Sequence, residues 1–170
     1  MTPLTQELIT ALNDQMTTEY NNCAFYWAVE RGFREAPWCG IAKWAHEAAS
    51  EERHHGKKIA KYMIERGAQP APGGMSAAPS FYTIAVRDVF QNAADKEADT
   101  TRQLVELYSK AADAEDTDLC NLLYWFLNEQ REIEWFLATV LKKLTFADDE
   151  AAAIMMLDKD LGKKARKMGR

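Results

Sequence analysis

The sequence predicts an all-α fold: a four-helix bundle with one long crossover and a short fifth helix at the C-terminus. Three observations predict it. Gly and Pro are few, eight and five in 170 residues, and most of them gather at two breaks, so the segments between are long. With Val and Ile also sparse, uninterrupted segments of this kind favour helix over strand. The connections then run short, long, short, which is how a bundle with a single crossover is wired. Apolar residues recur at alternating spacings of three and four, as one face of a helix requires.

A first helix is expected at about 5–31, ended by the break at Gly32, Pro37 and Gly40. A second follows at about 37–66, ended by Gly67, Pro70, Pro72, Gly73, Gly74 and Pro79. From Ser80 to Leu161 there is neither Gly nor Pro, a span too long for one helix of a globular domain. The polar run Asp113–Asp118 divides it into a third helix at about 80–112 and a fourth at about 117–144, and supplies an N-cap for the fourth. The fifth is expected at about 148–160, with a basic tail at 161–170 carrying Lys163, Lys164, Arg166, Lys167 and Arg170. The whole chain, 1–170, reads as one domain with its bundle at about 5–144. Short connections make helices one and two, and three and four, antiparallel neighbours.

Each long helix breaks its apolar stripe near the middle. The first reads Leu12, Met16, Glu19, Cys23, Tyr26, and the second Ala45, Ala48, Glu52, His55, Ile59, Tyr62. The third reads Val86, Phe90, Ala93, Glu97, Leu104, with Thr100 or Thr101 between; the fourth reads Leu119, Leu123, Phe126, Gln130, Ile133, Leu137, Val140, Leu144. In an antiparallel bundle the middles meet at one height, so three carboxylates, an imidazole and an amide converge. Burying a carboxylate costs several kcal/mol unless it is neutralised, and no Lys or Arg lies on these stripe positions. Protons could neutralise the layer, but a metal does so better, and a Glu/His donor set suits iron. Di-iron bundles take a Glu from each of two helices and a Glu-x-x-His from each of the other two; three of those four contributions are present here. A satisfied polar cluster that only fixes register is the competing reading.

At these residues the chain resembles the non-haem ferritins of bacteria, over nearly its whole length. The resemblance rests on Glu19 with Tyr26 at i+7, on Glu51-Glu52-Arg53-His54-His55 with its Glu-x-x-His, on Glu97, and on Asn128-Glu129-Gln130. The segment Leu157-Asp158-Lys159-Asp160-Leu161 is also similar to the bacterial members. The resemblance implies a ferritin-like bundle with a di-iron centre. Glu19, Glu52 and His55 would hold one iron, Glu52 would bridge to a second held by Glu97, and Gln130 would stand close by. Tyr26 would donate to a ligand carboxylate and serve as a one-electron donor, and Trp125 lies where bacterial members carry a Trp near the centre. As ordinary core aromatics, both need only a partner for OH or NH. The implied function is iron storage in a cytoplasmic homo-oligomer of 24 subunits, with Fe2+ oxidised to Fe3+ by O2 or H2O2.

The fourth helix separates relatives. Bacterioferritins, rubrerythrins and di-iron oxygenases repeat Glu-x-x-His there, whereas the two stripe positions here are Gln130 and Ile133. The second iron thus loses a carboxylate and an imidazole and should leave more readily, which suits a store better than a non-storing redox enzyme of the rubrerythrin or bacterioferritin kind. Bacterioferritin's haem-ligating Met follows the bridging Glu, and here that position is Arg53, so no haem is expected. Glu51, Glu129 and Glu132 match the third iron site of many bacterial ferritins, but its fourth carboxylate falls at Ile133. Solvated helix-face charge explains the three Glu equally well. His46 and His54 lie off the stripe.

Composition excludes other classes. Lys and Arg number 21 against 26 Asp and Glu, a net charge of −5, which argues against nucleic acid as the main partner. No uncharged apolar run reaches the ~18 residues that would span a bilayer. No signal peptide is visible at the N-terminus, and the three cysteines (Cys23, Cys39, Cys120) form no CxxC pair, as expected of reduced thiols in a cytoplasmic protein.

Overall fold

The computed structural model describes residues 3–34, 37–78, 80–81 and 85–168. Five helices follow one another: α1 (Gln6–Arg34), α2 (Cys39–Glu65), α3 (Val86–Asp113), α4 (Thr117–Phe146) and α5 (Ala151–Met168). The described residues contain no strand, and no helix among them is long and apolar enough to cross a membrane. α1 packs on α2 and α3 on α4, and α1 meets α3 across the bundle. The α1–α3 contact is antiparallel, because Thr18 bonds Gln103 (2.7 Å), Asn22 bonds Thr100 (2.9 Å) and Tyr26 bonds Glu97 (2.5 Å).

The long crossover lies along α1 in a regular way. Asn13 Oδ1, Thr17 Oγ1 and Asn21 Oδ1 accept the backbone N–H groups of Ala71, Gly73 and Ser76 at 2.7–2.8 Å. From Asn13 to Thr17 four helical residues advance ~6 Å, close to the ~6.6 Å of the two extended residues from Ala71 to Gly73. The next helical step, Thr17 to Asn21, is matched by three strap residues, Gly73 to Ser76, so the strap is less extended there. Arg66, the C-cap of α2, reaches Asp116 at 2.7 and 2.9 Å. Asp116 in turn N-caps α4 by accepting Leu119 N–H at 3.0 Å, the role expected of the acidic run. This largely buried ion pair ties two helix ends together.

Three boundaries differ from expectation, each for a packing reason. α1 runs through Gly32 to Arg34, because Gly32 does not end the helix but admits Phe81, whose Cβ would lie 3.0 Å from any added Cβ. α3 starts at Val86 rather than at about 80: Phe81 is not helical and packs in the core against Phe25 (ring centroids 5.3 Å apart), and residues 82–84 lie outside the described residues. The expected basic tail is helix as far as Met168: Leu161, Gly162 and Ala165 are buried, and α5 packs chiefly on α2. Residues 169–170 lie outside the described residues.

The docking of α5 depends on one close approach. Asp158 Oδ1 accepts the N–H of Ile41 at 2.8 Å, capping the start of α2, while a Cβ on Gly40 would fall 1.7 Å from the Asp158 carbonyl oxygen. Gly40→Ala should therefore undock α5, at the upper end of overpacking costs, about 3 kcal/mol. Hydrogen exchange checks this: amides from Met155 to Ala165 should lose protection while those of α1–α4 keep theirs. Retained protection in α5 would contradict the packing described.

The core falls into two apolar clusters. One, built around Phe25, Trp44, Phe90 and Leu137, fills the end that α5 covers; the other, around Leu12, Ile59, Leu104 and Leu123, fills the opposite end. Between them lies a polar layer.

Candidate metal centre

The four long helices each deliver a buried polar side chain to that layer. Glu19 comes from α1, Glu52 and His55 from α2, Glu97 from α3 and Gln130 from α4, none more than 4% exposed. Glu52 and His55 share a face of α2 because they are three residues apart. One ligand atom from each of Glu19, Glu52 and His55 lies within 4.8 Å of the others, a spacing suited to one metal ion. His55 Nδ1 stands 3.5 Å from Glu19 Oε2. Glu19 Oε2 and Glu52 Oε2 are fully buried and have no hydrogen-bond partner. Native interiors rarely leave such atoms unsatisfied, so two carboxylate oxygens without partners at one level are what a cation site looks like without its cation.

Glu97 is held differently. Tyr26 OH donates to its Oε1 at 2.5 Å, and Gln130 Nε2 donates to its Oε2 at 2.9 Å and to its backbone oxygen at 3.2 Å. Both carboxylate oxygens are committed, and the Gln130 amide turns its N–H2 toward Glu97. The Glu19, Glu52 and His55 cluster is thus a candidate site for one cation, whereas both carboxylate oxygens of Glu97 are already engaged by hydrogen bonds.

Charge in the layer is unfavourable without a cation. Burial pushes the Glu52 carboxyl well above the usual carboxylate range, with Glu97 and Glu19 adding repulsion. Burial also raises Glu97, against the lowering effect of the Tyr26 and Gln130 hydrogen bonds. Tyr26 is raised well above its ordinary value by burial first and the neighbouring Glu97 and Glu52 charges next, so its phenol stays protonated and acts as a donor. Trp125 meets His55 edge to face at 5.7 Å and carries Lys58 Nζ 3.8 Å above its ring.

A cavity of about 210 Å3 opens beside the centre, lined by Tyr26, Glu52, His55 and Glu97 within and by Glu51, Glu129 and Glu132 toward solvent. The three residues matched to a third iron site are thus gathered at one mouth, with Ile133 as an apolar neighbour. His54 and His46 are exposed, and His46 faces Glu30 (3.2 Å), away from this layer.

Comparison with known proteins agrees with the geometry. The ferritin-like domain family matches residues 9–147, most of the chain. The chain belongs to the ferritin family. A bacterial non-heme ferritin from Staphylococcus aureus is 33% identical over 159 residues, covering 94% of this chain and 95% of that protein. A probable bacterial non-heme ferritin-like protein of Haemophilus influenzae is 28% identical, covering 96% and 99%. Among solved structures, an Archaeoglobus fulgidus ferritin engineered into a closed form superposes with a TM-score of 0.87 at 26% identity, over 94% and 96% of the two chains. The chain is therefore a non-haem ferritin of bacterial type; the family's general function is iron storage, and iron is the metal it binds.

The layer of this ferritin contains polar residues that the stripe argument missed. Gln15 Nε2 donates to Glu19 Oε1 at 2.7 Å, and Asn22, bonded to Thr100, lies within hydrogen-bonding reach of Glu52. All three are buried. The positions of Gln15 and Asn22 on α1, four residues before Glu19 and three after it, are a usable signal, because a helix turn on either side of a buried Glu is where its partners must stand. They orient the Glu19 and Glu52 carboxylates as outer partners orient metal ligands.

Proposed function

We propose that this ferritin is a ferroxidase: it binds two Fe2+ as substrate in the polar layer, oxidises them, and releases Fe3+ for storage inside a hollow homo-oligomer of 24 subunits. The observation that carries the reading is the triad Glu19, Glu52 and His55, whose ligand atoms gather within 4.8 Å while two of its buried oxygens lack a hydrogen-bond partner. Carboxylate oxygens and imidazole suit iron in both charge states. In this reading Glu19, Glu52 and His55 take the first ion, and Glu52 shares the second with Glu97, beside Gln130. The pair gives up two electrons, which reduce O2 to H2O2 or H2O2 to two waters, with two protons taken up in either case. Tyr26 keeps its proton on Glu97 and sets that carboxylate's orientation. With only Glu97 as a carboxylate of its own, Glu52 shared with the first ion and Gln130 offering an amide, the second position holds Fe3+ loosely, which suits passage to a store.

One preparation tests this. Aerobic addition of Fe2+ should load far more than two irons per chain into a particle near 460 kDa, 24 times the 19.3 kDa chain. A dimer that turned over H2O2 and retained only two irons would instead mark a non-storing redox enzyme. Absence of saturable Fe2+ binding without oxygen would leave only a polar layer that fixes register.

A further inference from the structure

The mouth of the cavity carries a charge of the wrong sign for a cation path. Lys164 stands there with Glu51, Glu129 and Glu132, and among the described residues that line the cavity it is the one Lys or Arg. It comes from α5 rather than from the bundle. Its place is set by the Asp158 cap on Ile41 and by the close contact of Gly162 with Gly40. Its ammonium sits 3.6 Å from the centroid of the Phe136 ring, itself part of the cavity wall. Arg131 lies on the outer side, in a shallow depression shared with Glu132 and Trp135. Three carboxylates and one ammonium over an aromatic face leave the mouth net negative, with one positive charge that opposes a divalent cation arriving there.

We propose that Lys164 is the resident cation of this acidic mouth and limits how much divalent metal the cavity takes up and how tightly. The inference rests on the reading of the layer behind it as a metal centre. Partial burial lowers the ammonium from its ordinary range while Glu51 and Glu132 raise it, as expected of a group in the field of those two acids. The stem of Lys164 also covers Phe136, so a purely structural role has to be separated from the electrostatic one.

Three variants of the full, metal-free protein make that separation. Lys164→Met keeps the stem and removes the charge, Lys164→Arg keeps the charge, and Lys164→Met with Glu132→Gln weakens the acids exposed by the first change. Mn2+ titration followed by electron paramagnetic resonance reads stoichiometry and affinity. Wild type and K164R should bind Mn2+ at the buried layer alone. K164M should take up about one further ion per chain, with affinity at the cavity roughly 10-fold tighter, the scale of one like charge removed near the surface. Adding E132Q should abolish the extra ion. An unchanged K164M isotherm, a K164R that behaves like K164M, or an extra ion that survives E132Q each overturns the proposal. If wild type binds no Mn2+, the metal-centre reading falls and this inference falls with it; wild-type binding with no K164M effect defeats this inference alone.

Discussion

Glu52→Ala is expected to abolish rapid Fe2+ oxidation while leaving the assembled protein folded. In the proposed centre Glu52 would serve both ions: it belongs to the cluster with Glu19 and His55 and shares the cavity wall with Glu97. Losing an outer partner of a metal site costs 10–100-fold, so losing the shared ligand should lower the initial oxidation rate by about 100-fold or more. Glu51→Ala is the control. It removes a carboxylate one residue away, at the mouth, and should change the rate by less than about 10-fold, within the effect of an outer group. Stopped-flow absorbance after mixing with Fe2+ in air measures both, and particle mass verifies assembly. If the two variants slow equally, the chemistry does not reside at Glu52.

Much of this centre was legible because helical period and depth are both written in the sequence. Glu19, Glu52, His55, Glu97 and Gln130 interrupt otherwise apolar stripes at mid-helix, and antiparallel pairing has no choice but to bring mid-helix positions to one height. The same logic found an N-cap within the polar run 113–118, a role that Asp116 fills, since an acid before an apolar stripe has a helix N-terminus to satisfy. It did not find Gln15 or Asn22 as partners of the ligands. Each is a polar residue beside a stripe, a pattern that solvated helix faces share, and only the α1–α3 contact decides that they are buried.

Glycine was the least transparent signal. Read along the chain, Gly32 looks like a stop; in the fold Gly32 and Gly162 are both places where another segment comes within contact distance, and the helices run on through them. That distinction depends on which partner arrives, information held tens of residues away. Lys164 was obscure for the same reason. As part of a basic run it reads as a solvated end, and it reaches the cavity mouth because Asp158 and Gly40 fix α5 across the start of α2. The polar face of α1 that holds the crossover was hidden similarly, since Asn13, Thr17 and Asn21 gain meaning only with the strap laid over them.

The metal-free protein should become more stable, not less, when Glu52 is changed to Gln. The Glu52 carboxyl sits well above its ordinary range because of burial first, then Glu97 and Glu19. An acid raised in this way holds its proton in the folded chain after the unfolded chain has lost it, so folding stability falls as pH rises past the ordinary carboxylate range. Below that range both states are protonated and the penalty vanishes. The substituted amide cannot ionise, and it also offers N–H donors beside Glu19 Oε2, which has no partner in the wild-type layer. Relieving a buried polar group left without its partner is worth about 1–3 kcal/mol, and ~2 kcal/mol here would raise the melting temperature of a chain this long by roughly 4–8 °C. The advantage should be present at pH 7.5 and absent near pH 4, in thermal melts at one fixed protein concentration. Zn2+ should reverse the order at pH 7.5, raising wild type well above its metal-free melting point and the variant far less, because ligand binding to the folded state adds stability in proportion to affinity. A metal-free Glu52→Gln protein that melted below wild type at pH 7.5 would show the layer to be content as it stands, a polar cluster with no need of a cation.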